Sequence, residues 1–339
     1  MTTKRFRLIS ALSLCLAALG AQAGQLTVYS SAGADVLKIY ADQFAKSHPA
    51  IKVNWVRDST GIMQAKLMAE KDNPRADVVF GHTVANLVTL GQAGMLTPYA
   101  PKGMERLNAM YLPKSNPPSW VGMYGWASAI CFNTIEAKKS NVPKPVKWTD
   151  LTLPAFKGKV TMPNPASSGT GLLMVNAWIQ MWGEEKAWAF MDKLHENIAS
   201  YSHSGDKPCE QAGAGEYVAG LSLPVRGGKV KTAGAPIEVI VADEGTGWDM
   251  QVSAILKGSK NLDDAKVLMD WAISNEAMEL YGRNSEVTAV PVKVPKMENV
   301  PTNIAEKMIK VDFDWVAKEQ SRVVAEWRKR YDNKSEPKK

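Results

Sequence analysis

The chain has 339 residues, 45% of them hydrophobic, with 41 Lys and Arg against 34 Asp and Glu for a net charge of +7. That length exceeds what a single core organises and calls for two domains. The basic excess is mild and scattered, clustering only at the tail (Arg328, Lys329, Arg330, Lys334, Lys338, Lys339), which argues against nucleic acid as a partner.

The first 23 residues carry the pattern of a secretory signal. Lys4, Arg5 and Arg7 form a positive region, residues 8–19 a short apolar core, and Ala21-Gln22-Ala23 a cleavage site. The apolar run is too short for a membrane span. Cys15 lies inside it, but Leu14 precedes it where a lipid-anchor signal wants a small residue. An exported, soluble protein is expected. Removing residues 1–23 takes away three basic and no acidic residues, which lowers the charge from +7 to +4. Cys131 and Cys209 remain, either as a disulfide or as two buried thiols.

Residues 25–30 then read as a strand, with Leu26 and Val28 among Thr27 and Tyr29. Residues 35–47 read as a helix, with Leu37, Tyr40, Ala41 and Phe44 at helical spacing. His48-Pro49 stops it. A strand over 51–56, a helix over 62–70, a strand over 76–80 and a helix to Leu90 follow. This βαβαβ run predicts a parallel sheet flanked by helices. Each strand ends in a small polar turn that opens a helix: Ser30-Ser31, Ser59-Thr60-Gly61 and Gly81-His82-Thr83. In open α/β sheets, ligands bind beyond such strand ends. Ser59-Thr60 also reads as a plain N-cap.

A second series begins near Trp120. Residues 125–133 and 159–162 are expected as strands, 184–197 as a helix, and 218–223 and 237–241 as strands. Arg226-Gly227-Gly228 reads as a turn and 244–249 as a loop. Residues 262–274 form an amphipathic helix with Ala265, Leu268, Met269 and Ala272 on one face, and 303–331 are mostly helical. The chain is expected to cross between lobes near residues 123–126 and again near 242–247. One lobe then holds residues 24–123 with 244–292, the other 124–243 with 293–339.

The most informative stretch is Pro163-Asn164-Pro165-Ala166-Ser167-Ser168-Gly169-Thr170-Gly171. Its prolines keep the approach extended. A small, polar, glycine-rich turn then opens an apolar helix over 172–181. Unpaired backbone N–H groups at the positive end of a helix dipole make a seat for an anion. The nucleotide-loop pattern GxxxxGK[ST] is absent. The alternative is an ordinary capped helix.

These residues carry a resemblance. Leu26-Thr27-Val28-Tyr29-Ser30, Ala76-Asp77-Val78-Val79-Phe80 and Pro163-Asn164-Pro165 with Ser167-Ser168-Gly169-Thr170-Gly171 resemble periplasmic solute-binding proteins of ABC importers. The branch is the type II, ferric-binding-like one. More narrowly, Trp55-Val56-Arg57-Asp58-Ser59-Thr60-Gly61, Ala129-Ile130-Cys131-Phe132-Asn133-Thr134 and His203-Ser204-Gly205 with Lys207-Pro208-Cys209 are similar to 2-aminoethylphosphonate-binding proteins. The resemblance covers about residues 25–290. It implies an α/β two-lobe fold, each lobe a mainly parallel sheet flanked by helices, with the ligand cleft between them. It also implies a monomer in the periplasm, a permease partner in the inner membrane, and binding rather than catalysis. One departure stands out: the relatives carry an acidic and an aromatic residue before the arginine of the Arg-Gly turn, where this chain has Pro224 and Val225.

An aminophosphonate needs convergent donors at its anionic head and carboxylates or an aromatic face at its ammonium. Ser167, Ser168, Gly169 and Thr170 supply one helix start. Ser30, Ser31, Ser59, Thr60 and Gly61 face them from the other lobe. Arg226 is the expected cation, a surface turn residue being the alternative. Trp248 and Asp249 are expected at the ammonium, with hinge packing as the alternative for Trp248 and with Glu244 and Asp58 secondary. His82, His203 and Ser204 sit on strand-end turns and could donate to oxyanions; for the two histidines a structural role is the alternative. No cofactor is expected. The four histidines lack paired ligand spacing, and the adjacent tyrosines of ferric binders are missing around 222–225, so no metal is expected. No GxSxG, HExxH or oriented nucleophile suggests catalysis. The ligand expected is 2-aminoethylphosphonate, with another organophosphorus anion or phosphate ester as the alternative. An exported enzyme on a similar scaffold is the alternative from another class.

Overall fold

The computed structural model describes residues 25–285, 287–295 and 297–337, so the secretory-signal reading falls outside the described residues. Two sheets, each with its own core, divide the chain. The first sheet contains β1 (Gln25–Ser30), β2 (Lys52–Arg57), β3 (Val78–Thr83), β4 (Leu96–Thr97), β5 (Val121–Ala127), β11 (Trp248–Leu256) and β12 (Val287–Thr288). Their order is β12-β5-β11-β3-β1-β2, with β4 paired to β11. The second contains β6 (Ala129–Asn133), β7 (Val160–Pro163), β8 (Ile198–Ser202), β9 (Ala219–Ser222) and β10 (Ile237–Ile240), in the order β10-β6-β9-β7-β8.

Helices α1 (Ala34–Ser47), α2 (Thr60–Ala69), α3 (Val84–Gln92), α9 (Leu262–Ala272) and α10 (Asn275–Gly282) accompany the first sheet. Helices α4 (Thr134–Lys139), α5 (Gly169–Trp182), α6 (Glu184–Asn197), α7 (Lys207–Ala214) and α8 (Pro224–Thr232) accompany the second. A short α11 (Ile304–Lys307) leads into α12 (Phe313–Tyr331). From α12, Val323, Trp327 and Tyr331 enter the second core, while Gln320 donates to Thr89 Oγ1 on α3 at 3.1 Å. The last helix thus touches both lobes.

The structure differs from the sequence expectations at several points. Both sheets are mixed rather than mainly parallel. β1 pairs in parallel with β2 and β3, but β11 runs antiparallel to β3, β4 and β5, and β6 runs antiparallel to β9 and β10. The expected strand over 125–133 is two strands in different sheets, broken at Ser128. Arg226, Gly227 and Gly228 lie in helix α8, not in a turn. Trp248 and Asp249 open β11 instead of closing a loop, because that segment finds a partner in β5.

The two passages between the sheets lie side by side. The Ser128 and Thr246 hydroxyls are 2.9 Å apart, and Thr246 Oγ1 also donates to Ser128 O at 2.6 Å. Ser128 N donates to Gly247 O at 3.1 Å. Cys131 on β6 and Cys209 on α7 form a disulfide, and Ile237 and Ala212 pack beside it.

Candidate functional site: a cleft between two sheets

The sequence makes helices start where strands end, and the fold turns several of those starts toward one another. α1 and α2 begin on one wall of a cleft between the lobes; α5, α7 and α8 begin on the other. Ser59 and Ser168 occupy the N-cap positions of α2 and α5, yet neither side chain makes a capping hydrogen bond. Their hydroxyls are therefore not consumed by the helices they open, and both residues line the cleft. Backbone donors, helix-dipole ends and hydroxyls gather here, as anion binding requires.

Charge follows the same logic. Arg57, Arg226 and Lys229 line the cleft against Asp35 and Asp206, a local excess of one positive charge. Arg226 Nη2 lies 2.8 Å from Asp206 Oδ2 and 3.0 Å from Asp35 Oδ1, and Lys229 Nζ lies 2.9 Å from Asp35 Oδ2. Asp35 belongs to α1 and the two cations to α8, so the Asp35 pairs join the lobes across the cleft, while Arg226–Asp206 lies within the second lobe. Burial works against the Arg226 charge, but Asp206 and Asp35 outweigh it and hold the pKa above its usual value. Burial likewise works to raise the Asp35 pKa, but Lys229 and Arg226 outweigh it and lower it. Both Arg226 and Asp35 are thereby favoured in their charged forms. Arg57 Nε donates to Ala32 O at 3.0 Å.

The lobes also meet directly. Gly61 N donates to Ser167 O at 2.8 Å. A Cβ on Gly169 would lie 2.8 Å from Thr60 Oγ1, so this close approach requires the glycine. The lobes are closed on each other. Among the described residues no group of three or more His, Cys, Asp or Glu comes together to hold a metal.

The model of the bacterial extracellular solute-binding proteins matches residues 73–318. The chain belongs to that family. Among solved structures, this solute-binding protein is similar to the periplasmic binding protein AfuA of Actinobacillus pleuropneumoniae, solved with fructose-6-phosphate bound. The TM-score is 0.84 at 30% identity, covering 91% of this chain and 98% of that one. It is 27% identical to a Sinorhizobium fredii protein, y4fP, provisionally named as an ABC transporter periplasmic-binding protein, over 92% of this chain and 87% of the relative. It is 24% identical to a Salmonella typhimurium protein provisionally named as 2-aminoethylphosphonate-binding, over 82% of each chain. Proteins of this kind bind solutes for transport and are not enzymes.

Of the residues expected at its site, the fold brings Ser31, Ser59, Thr60, Ser168, Gly169, Thr170, Ser204 and Arg226 to the cleft. Ser30 lies buried beneath, accepting from Ala32 N at 3.2 Å. Gly61 and Ser167 form the backbone bridge between lobes. His82 is fully buried; its Nδ1 lies 2.7 Å from Ser31 Oγ, and burial pulls its pKa down to about 3. It is neutral and orients Ser31 instead of meeting an oxyanion. His203 faces the tail, with Nε2 3.2 Å from Pro337 O.

Trp248 and Asp249 line a smaller cavity beside the cleft, which shares Thr60 and Gly169 with it, and Asp249 stands opposite Trp126 in the β5–β11 ladder. The Trp248 indole N–H donates to Ile309 O at 2.8 Å. Asp249 Oδ1 accepts from Met250 N at 2.7 Å and Val84 N at 3.4 Å, and burial pushes its pKa up to about 7. Glu244 caps the Trp148–Thr149 segment, accepting from Thr149 Oγ1 at 2.8 Å. Asp35, Arg57, Asp206, Lys229, Trp126 and Gln251 line the cleft but escaped the sequence reading. Arg57 and Asp206 adjoin turns already singled out, and Lys229 lies at helical spacing from Arg226; those signals were available.

Proposed function

We propose that this protein is the periplasmic capture component of an ABC importer for a small phosphate monoester with a hydroxylated body, of the sugar phosphate class. The observation that carries this is the cleft itself: uncommitted Ser59 and Ser168 hydroxyls at opposed helix starts, within a lining that has an excess of positive charge. A planar guanidinium, an ammonium and helix N-termini suit a tetrahedral dianion. The likeness to a protein solved with fructose-6-phosphate supports the same class. The lobes open about the paired Ser128 and Thr246 crossings, admit the ligand, and close to present a compact complex to the permease.

The 2-aminoethylphosphonate reading keeps its anion seat, but its expected ammonium site lies beside the cleft. Trp248 and Asp249 line the smaller neighbouring cavity, and the cleft carboxylates Asp35 and Asp206 form ion pairs that an incoming anion would share through Arg226 and Lys229. A thermal-shift panel tests the assignment: fructose-6-phosphate, glycerol phosphate, 2-aminoethylphosphonate, inorganic phosphate and unphosphorylated sugars. Stabilisation by phosphate esters above all others is expected. Stabilisation only by 2-aminoethylphosphonate, or only by neutral sugars, would overturn it.

A further inference from the structure

The cleft also has a floor that the charged groups do not explain. Trp126 on β5 and Gln251 on β11 come from neighbouring, hydrogen-bonded strands, with Trp126 opposite Asp249 and Gln251 opposite Tyr124. Both line the same cleft as Arg226 and Ser168. The Trp126 side chain is 7% exposed, and its indole Nε1 has no hydrogen-bond partner. Gln251 Oε1 is buried and unpartnered too, beside the end of β3: a Cβ built on Gly81 would lie 3.2 Å from it. Among the described cleft-lining residues, these are the two whose buried side-chain atoms lack a partner. Buried polar groups in folded proteins are almost always paired, and these two belong to residues of a cleft where a bound ligand can supply the partner.

We infer that Trp126 and Gln251 form a neutral subsite that reads a hydroxyl on the body of the ligand and so sets specificity away from amines. The inference rests on the phosphate-ester reading above. The argument is one of complementary polarity. The indole N–H can only donate, and the amide oxygen can only accept. A hydroxyl can play either part: one can accept from Trp126, and one can donate to Gln251. An ammonium donates but cannot accept, leaving Trp126 orphaned. An alkyl group satisfies neither. Neither residue carries charge, so the subsite adds no ionic attraction to the hold on a phosphate head. The charged groups of α8 then bind the head, and the first-lobe strands read the body.

The test uses Trp126→Phe, which keeps an aromatic ring but removes the N–H, and Gln251→Met, which keeps length but removes the acceptor. Each is titrated calorimetrically with fructose-6-phosphate and with methyl phosphate, which has the head but no hydroxylated body. Melting curves check folding, and either variant alone suffices if the other fails to fold. Each variant should weaken fructose-6-phosphate about ten-fold or more while leaving methyl phosphate nearly unchanged. Equal losses on both ligands, or no loss on either, would overturn the subsite and leave the phosphate reading standing. Wild-type protein that binds neither compound would overturn the phosphate reading, and the subsite with it. Wild-type protein that prefers 2-aminoethylphosphonate to fructose-6-phosphate would likewise overturn the subsite.

Discussion

Gly61 offers a way to block closure without touching either core. It is the second residue of α2, and its N–H reaches Ser167 O across the cleft at 2.8 Å. A Cβ built on it would lie 2.2 Å from Ala166 O and 3.0 Å from Ser167 Cα. Both atoms belong to the backbone of the opposite lobe, so no side-chain rotation relieves the clash. The lobes must stay apart by the better part of an ångström. Within α2, alanine is a better helix former than glycine by about 0.5–1 kcal/mol. Gly61→Ala should therefore leave the open protein as stable as the wild type or slightly more so. On closing, it loses a hydrogen bond worth about 1 kcal/mol and adds overpacking of about 1–3 kcal/mol. A total near 2–4 kcal/mol corresponds to an affinity loss of roughly thirty-fold to several hundred-fold. Calorimetry gives the affinity, small-angle scattering gives the compaction on adding ligand, and melting of the ligand-free protein checks the fold. A variant that binds as tightly as the wild type and compacts as fully would refute the reasoning.

Arg226→Ala should cost about 2–5 kcal/mol in ligand binding, and Arg226→Lys should recover little because a point charge cannot copy the planar fork; wild-type affinity in the alanine variant would remove Arg226 from the site. Burial raises the Asp249 pKa from 3.8 to about 7, so the folded, closed protein prefers the protonated form. Its contribution is full below the ordinary carboxylate value and is lost as pH rises toward 7. Asp249→Asn should accordingly flatten the pH dependence of the melting temperature and exceed wild type above neutral pH; parallel pH profiles would contradict this. The Cys131–Cys209 disulfide closes a loop with a sequence separation of 78. Replacing both cysteines by alanine should cost about 2–4 kcal/mol in urea unfolding, and unfolding that ignores reductant would argue against the bridge.

The legible parts of the molecule were those governed by neighbours in sequence. The first three strands and helices, and the polar turns between them, follow from local periodicity and turn chemistry, so Ser31, Ser59, Thr60 and Ser168 could be nominated in advance. β11 could not, because its place depends on distant partners: β3, β4 and β5 must come together before residues 248–256 have anything to pair with. Trp248 and Asp249 were read as part of a loop for that reason. α8 was hidden by its two glycines, which are there for packing: a Cβ on Gly227 would lie 2.6 Å from Val239 Cγ2, and one on Gly228 2.4 Å from Val300 Cγ2. The Asp35–Arg226–Lys229 cluster joins residues nearly two hundred positions apart and exists only once the lobes face each other. Trp126 and Gln251 were invisible for a different reason, since an orphaned donor or acceptor is a property of the packed structure.

The most direct test is calorimetric titration of the protein with fructose-6-phosphate, fructose and 2-aminoethylphosphonate under one set of conditions. The account predicts one-to-one binding of fructose-6-phosphate, no measurable binding of fructose, and weaker binding of 2-aminoethylphosphonate. Tight binding of fructose without its phosphate, or of 2-aminoethylphosphonate above the sugar phosphate, would contradict it.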